Sequence, residues 1–83
     1  MYTLLYDRRV EKDLSRIPKP QRVLILRRIQ QLAVEPRRPQ VEKLTGLDGY
    51  RLRVGDYRVL FTIDDHANSL TIYRIRHRRD AYR

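Results

Sequence analysis

The feature that most constrains the fold is a pair of alternating runs separated by only two residues. In the runs 50–54 and 57–63, apolar residues recur at every second position. Gly55 and Asp56 lie between the runs and suit a tight two-residue turn, because glycine adopts a positive φ at little cost. A period of two on both sides of such a turn predicts an antiparallel β-hairpin.

Counting outward from the turn predicts the register of this hairpin. Arg53 is expected opposite Arg58, and Arg51 opposite Leu60. The apolar residues then face the rest of the domain, and the three arginines share the other face with no acid among them. A like-charge pair across two strands is unfavourable by up to about 1 kcal/mol, and such a penalty without a structural benefit is typical of a functional site. We interpret this face as a phosphate-binding surface; the alternative is a solvated face with splayed arginines.

The residues before the hairpin predict one strand and two helices. The apolar segment 2–6 predicts a short strand, and Asp7 is a typical N-cap for a helix over 8–17. The proline-containing segment 18–20 separates this helix from a second one over 21–35. The side chains that recur at helical spacing, and are therefore expected in the core, are Val10, Leu14, Ile17, Ile25, Ile29, Leu32 and Ala33.

After a loop at 64–69, residues 70–77 are rich in β-branched and aromatic side chains and predict a last strand. The element order is therefore β-α-α-β-β-β, in a single domain over residues 1–83. The predicted fold class is α+β, an antiparallel sheet with a two-helix hairpin packed on one face. The first strand must pair within this sheet, but the sequence leaves its neighbour open.

The charge balance indicates a polyanionic partner. The chain carries 19 lysines and arginines against 10 aspartates and glutamates, a net charge of +9, and sixteen of the cations are arginines. A guanidinium group presents a planar fork that fits phosphate oxygens. Such an excess in a small domain indicates nucleic acid or an acidic protein as partner, although a GC-rich genome would also enrich arginine.

The same composition excludes several classes of site. Without cysteine, the chain forms neither a disulfide nor a thiolate metal site. His66 and His77 are too few for a histidine zinc site without carboxylate help. No segment has the roughly 20 apolar residues of a membrane span, and the start lacks the apolar core of a signal peptide. We therefore expect a cytoplasmic protein that uses no metal or other cofactor.

The C-terminal segment YRIRHRRDAYR holds five arginines, one histidine and two tyrosines. Its strand is expected beside the hairpin, so that His77, Arg78 and Arg79 leave the sheet near the arginine face. Tyr82 follows one short turn later. We interpret this segment as one wall of a phosphate-binding groove; the alternative is a solvated end without a task.

The segment EKLTGLDGYRLRVGDYRVLFTIDD, with the later LTIYRIRHRRDAYR, resembles the RelE branch of the RelE/ParE superfamily of bacterial and archaeal toxins. The matching pieces are the KLxG entry to the sheet, the RxRxGxYRxLF hairpin and the HRRDAY ending. With the helical segment, the resemblance covers essentially the whole chain. It implies a toxin that cleaves messenger RNA in the ribosomal A site. Its expected partners are the ribosome, mRNA and a small acidic antitoxin. The toxin and antitoxin are expected to form a heterotetramer or larger complex.

The resemblance also implies roles for individual residues. The basic pair on the first hairpin strand corresponds to Arg51 and Arg53, where relatives carry lysines, and Arg76 stands where glycine is common. The implied catalytic residues are Arg51, Arg53, Arg58, His77, Arg78 and Tyr82. The further residues expected to bind RNA are Lys43, Arg74, Arg76 and Arg79. Which of Arg74 and Arg76 points into the groove depends on the loop at 64–69.

RNA cleavage of this type uses the ribose 2′-hydroxyl as nucleophile and needs no metal. Arginines would stabilise the pentavalent phosphate, and His77 and Tyr82 are the candidates for proton transfer on the arginine face. Two other classes of function stay open. One is a ParE-like, non-enzymatic gyrase poison with the same fold, and the other is a non-catalytic RNA-binding module.

Overall fold

The computed structural model describes residues 1–80, so Tyr82 lies outside the described residues. The elements in chain order are β1 (Thr3–Tyr6), α1 (Arg8–Ser15), α2 (Lys19–Val34), β2 (Val41–Lys43), β3 (Tyr50–Val54), β4 (Tyr57–Asp64) and β5 (Ser69–His77). No helix in this part of the chain combines the length and the apolar character that crossing a membrane requires.

All five strands form one sheet in the order β1-β5-β4-β3-β2. With the two helices, this is the predicted α+β fold. Two details differ from the prediction. The sheet is antiparallel except for β1 and β5, which are parallel, and β2 is a strand that the predicted order lacks. An alternating pattern carries no strand direction, and the three residues of β2 are too few to show a period.

Local sequence signals account for the two helices. The Asp7 carboxylate accepts a hydrogen bond from the backbone N–H of Arg9 at 2.9 Å and caps α1. The same hydrogen bond holds the pKa of Asp7 below its usual value. Pro18 is the N-cap of α2, and Pro20 lies in its first turn, where the missing N–H removes no helical hydrogen bond.

The core lies between the helices and the inner face of the sheet. The predicted stripe of α2 is buried, with Ile25 and Ile29 at 0% exposure. Opposite this stripe, Val59, Phe61 and Ile72 of β4 and β5 are equally covered. Burial of each such side chain contributes about 1.5–3 kcal/mol to the stability of the fold. The core is therefore built from the inner face of the sheet and the helices, without side chains from the outer face.

The hairpin has the predicted register. Val54 pairs with Tyr57 across the turn, and Arg53 pairs with Arg58. Gly55 has a φ of 58°, a left-handed conformation that glycine adopts more readily than other residues. The predicted turn therefore aligns the arginines on the face away from the helices.

Candidate functional site

Two rows of side chains cross the outer face of the sheet. The first row is paired across β3, β4 and β5 and consists of Arg53, Arg58 and Arg76. The second row is paired across the same strands and consists of Arg51, Leu60 and Arg74. Both Arg74 and Arg76 therefore belong to the outer face, which answers the question that the sequence left open.

The first row ends in a pocket, here called the four-arginine pocket, that is lined by Arg53, Arg58, Arg78 and Arg79. No acidic side chain among residues 1–80 lines it. Four guanidinium groups that line one pocket repel one another when it is empty, and an anion bound among them would reverse the sign of that interaction. The planar forks of these groups also match phosphate oxygens. The pocket is therefore suited to a phosphate group.

Arg58 forms the buried base of this pocket. The residue is only 5% exposed, and its Nη1 donates to the backbone carbonyls of Gly55 and Tyr57, each at 3.1 Å. It forms no ion pair with a carboxylate of the described residues. A buried charge without a counter-ion is unfavourable. An anion bound in the pocket would provide this counter-ion for Arg58. The sequence predicted that Arg58 lies on the outer face of the sheet but did not indicate that its side chain is buried.

The outer face is not free of acids, and that part of the prediction is wrong. Glu42 of β2 pairs with Arg51, and its Oε2 lies 2.6 Å from Arg51 Nη2. This hydrogen bond is the main cause of the lowered pKa of the Glu42 carboxyl. The error follows from the missed strand, because only β2 brings Glu42 beside Arg51. Arg51 is thus already paired with a carboxylate.

Lys43, which was expected to bind RNA, does not lie on the arginine face. It pairs with Tyr50, whose ring stacks on the core residue Phe61 at 5.7 Å between centroids. Since successive residues of a strand point to opposite faces, Glu42 occupies the outer face and Lys43 the helix side. Lys43 therefore lies on the opposite side of the sheet from the four-arginine pocket.

Arg74 is tied to α1 by an ion pair. Its Nε and Nη2 donate to the Asp13 carboxylate at 3.0 and 3.2 Å, and the same carboxylate accepts from the backbone N–H of Ile75 at 2.9 Å. The side chain of Asp13 is 9% exposed. Arg74 therefore has a structural contact in addition to its place on the outer face.

His77 lies on the helix side, so the prediction that it shares the arginine face is wrong. It pairs with Tyr57, and the two rings meet edge to face at 5.3 Å between centroids. The alternation explains this placement, because Arg76 occupies the outer face and the next residue points the other way. The Nδ1 of His77 accepts a hydrogen bond from the backbone N–H of Arg79 at 3.3 Å.

The segment after β5 is held against the tip of the hairpin. The backbone N–H of Arg78 donates to the carbonyl oxygen of Asp56 at 2.6 Å, and the two side chains approach to 3.8 Å. The backbone N–H of Asp80 donates to the carbonyl of His77 at 2.8 Å. These contacts bring Arg78 and Arg79 to the pocket, as the sequence predicted. Tyr82 lies outside the described residues.

Sequence reasoning missed two acids that organise this face, Glu42 and Asp13. The sequence around Glu42 offers only the three residues of β2. Asp13 has no local signal at all, because Arg74 lies 61 residues away in the chain. Within residues 1–80, no group of three or more histidine, aspartate or glutamate side chains could hold a metal ion.

Comparison with known proteins gives a match along almost the whole chain. Residues 4–82 match a family model described as the ParE toxin of the type II toxin-antitoxin system parDE. No curated protein sequence matches the chain significantly.

Several solved structures share the fold. A chain of the toxin-antitoxin complex RelBE2 from Mycobacterium tuberculosis is 28% identical, with a TM-score of 0.83 over 93% of this chain and 98% of that one. A chain of the archaeal RelE–RelB complex from Pyrococcus horikoshii is 29% identical, with a TM-score of 0.79 over 96% and 98%. The isolated RelE toxin of E. coli is 20% identical, with a TM-score of 0.79 over 93% and 84%, a likeness of fold alone.

Proposed function

Because this chain belongs to the RelE/ParE superfamily of type II toxin-antitoxin toxins, we propose that it is an endoribonuclease that cleaves mRNA in the ribosomal A site. The single observation that carries this proposal is the four-arginine pocket. Its cations are aligned by the hairpin and by the segment after β5, and no described acid lines it. Such a pocket suits a reaction at phosphorus in which negative charge increases on the phosphate oxygens.

The reaction is a transesterification within the RNA chain. The ribose 2′-oxygen attacks the adjacent phosphorus, and the bond from phosphorus to the 5′-oxygen breaks. The products are a 2′,3′-cyclic phosphate and a 5′-hydroxyl. In this proposal, Arg53, Arg58 and Arg78 contact the phosphate and stabilise its pentavalent state. No step requires a metal, since arginines provide the compensating charge.

In this proposal, Tyr82 is the base and solvent water is the acid. A base must take the proton of the 2′-hydroxyl, and an acid must protonate the departing 5′-oxygen. Among the described residues, no histidine, tyrosine or carboxylate lines the four-arginine pocket. A phenol becomes a useful base near neutral pH only when cations surround it, and this segment of the chain is rich in arginine. His77 is reassigned from proton transfer to positioning.

A toxin that poisons gyrase is the second candidate, since the matching family model carries the ParE name. Two observations favour the nuclease. Four arginines line one pocket without a described acid, and two solved relatives above 25% identity are named as RelE–RelB or RelBE complexes. A non-catalytic RNA-binding module would use the same pocket but would leave RNA intact.

An antitoxin is the proposed physiological partner. The RelBE structures from Mycobacterium tuberculosis and Pyrococcus horikoshii are named as complexes. A net charge of +9 favours an acidic partner. We infer that a small acidic, RelB-like antitoxin covers the basic face in a heterotetramer or larger complex, and that the free toxin acts on cytoplasmic ribosomes.

Expression of the toxin alone separates these functions. The nuclease should stop protein synthesis within minutes and leave DNA supercoiling unchanged. Purified ribosomes programmed with mRNA should yield fragments with 2′,3′-cyclic phosphate and 5′-hydroxyl ends. Gyrase-dependent DNA breaks with normal translation would replace the nuclease by the gyrase poison, and tight RNA binding without fragments would leave a binding module.

A further inference from the structure

A second concavity lies beside the four-arginine pocket on the outer face. Its apolar lining consists of Leu44, Leu47, Leu60 and Tyr73, and its charged lining consists of Arg9, Arg51, Arg74, Arg76 and Asp80. We call it the leucine subsite. Nothing in the phosphate chemistry proposed above uses this apolar surface.

Leu47 makes the leucine subsite unusual. It is 70% exposed on the outer face of the sheet, beside several arginines. A single exposed leucine needs no explanation, but here three leucines and a tyrosine line one hollow together with four arginines and one aspartate. A nucleobase needs this combination, because its flat faces pack on apolar or aromatic groups and its edges accept hydrogen bonds.

The loop that carries Leu47 is fixed to the sheet. The backbone N–H of Leu44 donates to the carbonyl of Gly49 at 3.0 Å and closes the loop. A Cβ on Gly49 would lie 2.8 Å from the carbonyl oxygen of Phe61 and 3.6 Å from the hydroxyl of Tyr73. Gly49 therefore lets the loop pack directly on the sheet beside Tyr73, and the leucine subsite is formed before any ligand arrives.

The rim is fixed as well. Arg74 lines the leucine subsite, and its Nε and Nη2 donate to the Asp13 carboxylate, whose side chain is 9% exposed. The guanidinium group thus has a defined position without a ligand, which lowers the entropic penalty of binding. Asp13 is in this sense a positioning residue for the rim.

The two hollows are spaced for one nucleotide. Leu60 of the leucine subsite and Arg58 of the four-arginine pocket are two residues apart on β4 and point to the same face. Two residues of a strand span roughly 7 Å, a length comparable with that between a phosphate and its own base. We propose that the leucine subsite binds the nucleobase of the nucleotide whose phosphate lies in the four-arginine pocket. This assignment rests on the proposed function.

Two small probes that differ only in the base test the assignment. The affinities of adenosine 5′-monophosphate and ribose 5-phosphate are measured by NMR titration of the free toxin. The nucleotide should bind the wild type on the order of tenfold more tightly, as base stacking on a protein surface predicts. In Leu47→Ala this ratio should fall to about one, with the affinity for ribose 5-phosphate unchanged. Leu5→Ala, which alters a 48% exposed leucine of β1, should keep the wild-type ratio.

The outcomes separate this inference from the proposed function, since neither ribosome nor cleavage is involved. Equal affinities of the two probes for the wild type, or an unchanged ratio in Leu47→Ala, would overturn the leucine subsite even if the toxin cleaves mRNA. If Leu47→Ala keeps the wild-type ratio of the two probes but binds the antitoxin more weakly, the leucines form a protein contact instead. Absence of cleavage with the base-dependent ratio intact would remove the nuclease and keep the leucine subsite.

Discussion

At the scale of single residues, the turn Gly55-Asp56 determined more of the site than any other pair. Counting from it predicted the face of Arg58 and its partner Arg53, and both predictions are confirmed. The burial of the Arg58 side chain could not be predicted from the sequence. It results from two hydrogen bonds to turn carbonyls, which have no signal in the sequence.

The substitution Arg58→Gln weighs charge repulsion against these hydrogen bonds. Relief of the repulsion with Arg53 alone would stabilise the fold by at most about 1 kcal/mol. The two lost hydrogen bonds destabilise it by about 1 kcal/mol each. We expect the free energy of unfolding in urea to fall by about 1 kcal/mol. Cleavage should fall by about 10²-fold or more, because a preorganised donor at the developing charge contributes several kcal/mol.

Arg27→Gln is the matched control for Arg58→Gln. It removes the same charge from the exposed side of α2 and should change neither unfolding nor cleavage. If Arg58→Gln lowers stability but leaves the cleavage rate at the wild-type value, Arg58 serves only the turn and the four-arginine pocket is not the catalytic centre.

His77 allows positioning to be distinguished from proton transfer. His77→Asn keeps a hydrogen-bond acceptor for the backbone N–H of Arg79, whereas His77→Phe keeps a ring against Tyr57 and loses the acceptor. We expect His77→Asn to cleave near the wild-type rate with the same pH profile. His77→Phe should be slower by about 10- to 10²-fold, since a shift of about 1 Å at a site has that effect.

The measurement for His77 is the single-turnover rate of ribosomal mRNA cleavage between about pH 6 and 8. Equal losses in both variants, together with a flattened pH profile, would return His77 to the role of acid or base that the sequence suggested.

At the scale of elements, the sequence predicted what local patterns determine and missed what distant segments decide. The helices, the hairpin and the last strand follow from caps, prolines and alternation. The parallel pairing of β1 with β5 and the addition of β2 do not. The same distinction holds in the site, because Lys43 was assigned, and Glu42 was missed, without knowledge of the strand β2 that carries both.

The contact between α1 and β5 shows how such distant pairing supports the site. β1 covers β5 only from Ser69 to Ile72. Beyond that point, the Asp13 carboxylate of α1 accepts hydrogen bonds from the backbone N–H of Ile75 and from the guanidinium of Arg74. One carboxylate therefore completes the edge of β5 and fixes a cation of the outer face.

Asp13→Ala should destabilise the protein by about 2–3 kcal/mol, measured by urea denaturation. The variant leaves a backbone N–H and a partly buried guanidinium without their acceptor, and each such loss is unfavourable by more than a surface contact. Glu11→Ala removes an exposed acid from the same helix and should change stability by a few tenths of a kcal/mol. Equal effects of the two substitutions would mean that the contact of Asp13 contributes little.

At the scale of the whole molecule, composition predicted the sign of the partner's charge but not which cations meet it. Several arginines are paired with acids, as Arg74 is with Asp13 and Arg51 with Glu42. The arginines of the four-arginine pocket line a space that no described acid lines, although one of them, Arg78, also lies 3.8 Å from the Asp56 carboxylate. The net charge of +9 therefore overstates the charge available to RNA, and only the position of a cation decides its role.

The salt dependence of RNA binding tests this distinction between net charge and position. Arg53→Gln and Arg27→Gln lower the net charge by the same amount, but only Arg53 lines the four-arginine pocket. For single-stranded RNA, each phosphate contact contributes about 0.7 to the slope of log affinity against log salt concentration. We expect Arg53→Gln to reduce this slope by about 0.7, measured by fluorescence anisotropy with a short labelled RNA, and Arg27→Gln to leave it unchanged. Equal slopes in the two variants would mean that RNA is attracted by the molecule's overall charge, and the four-arginine pocket would lose its assigned phosphate.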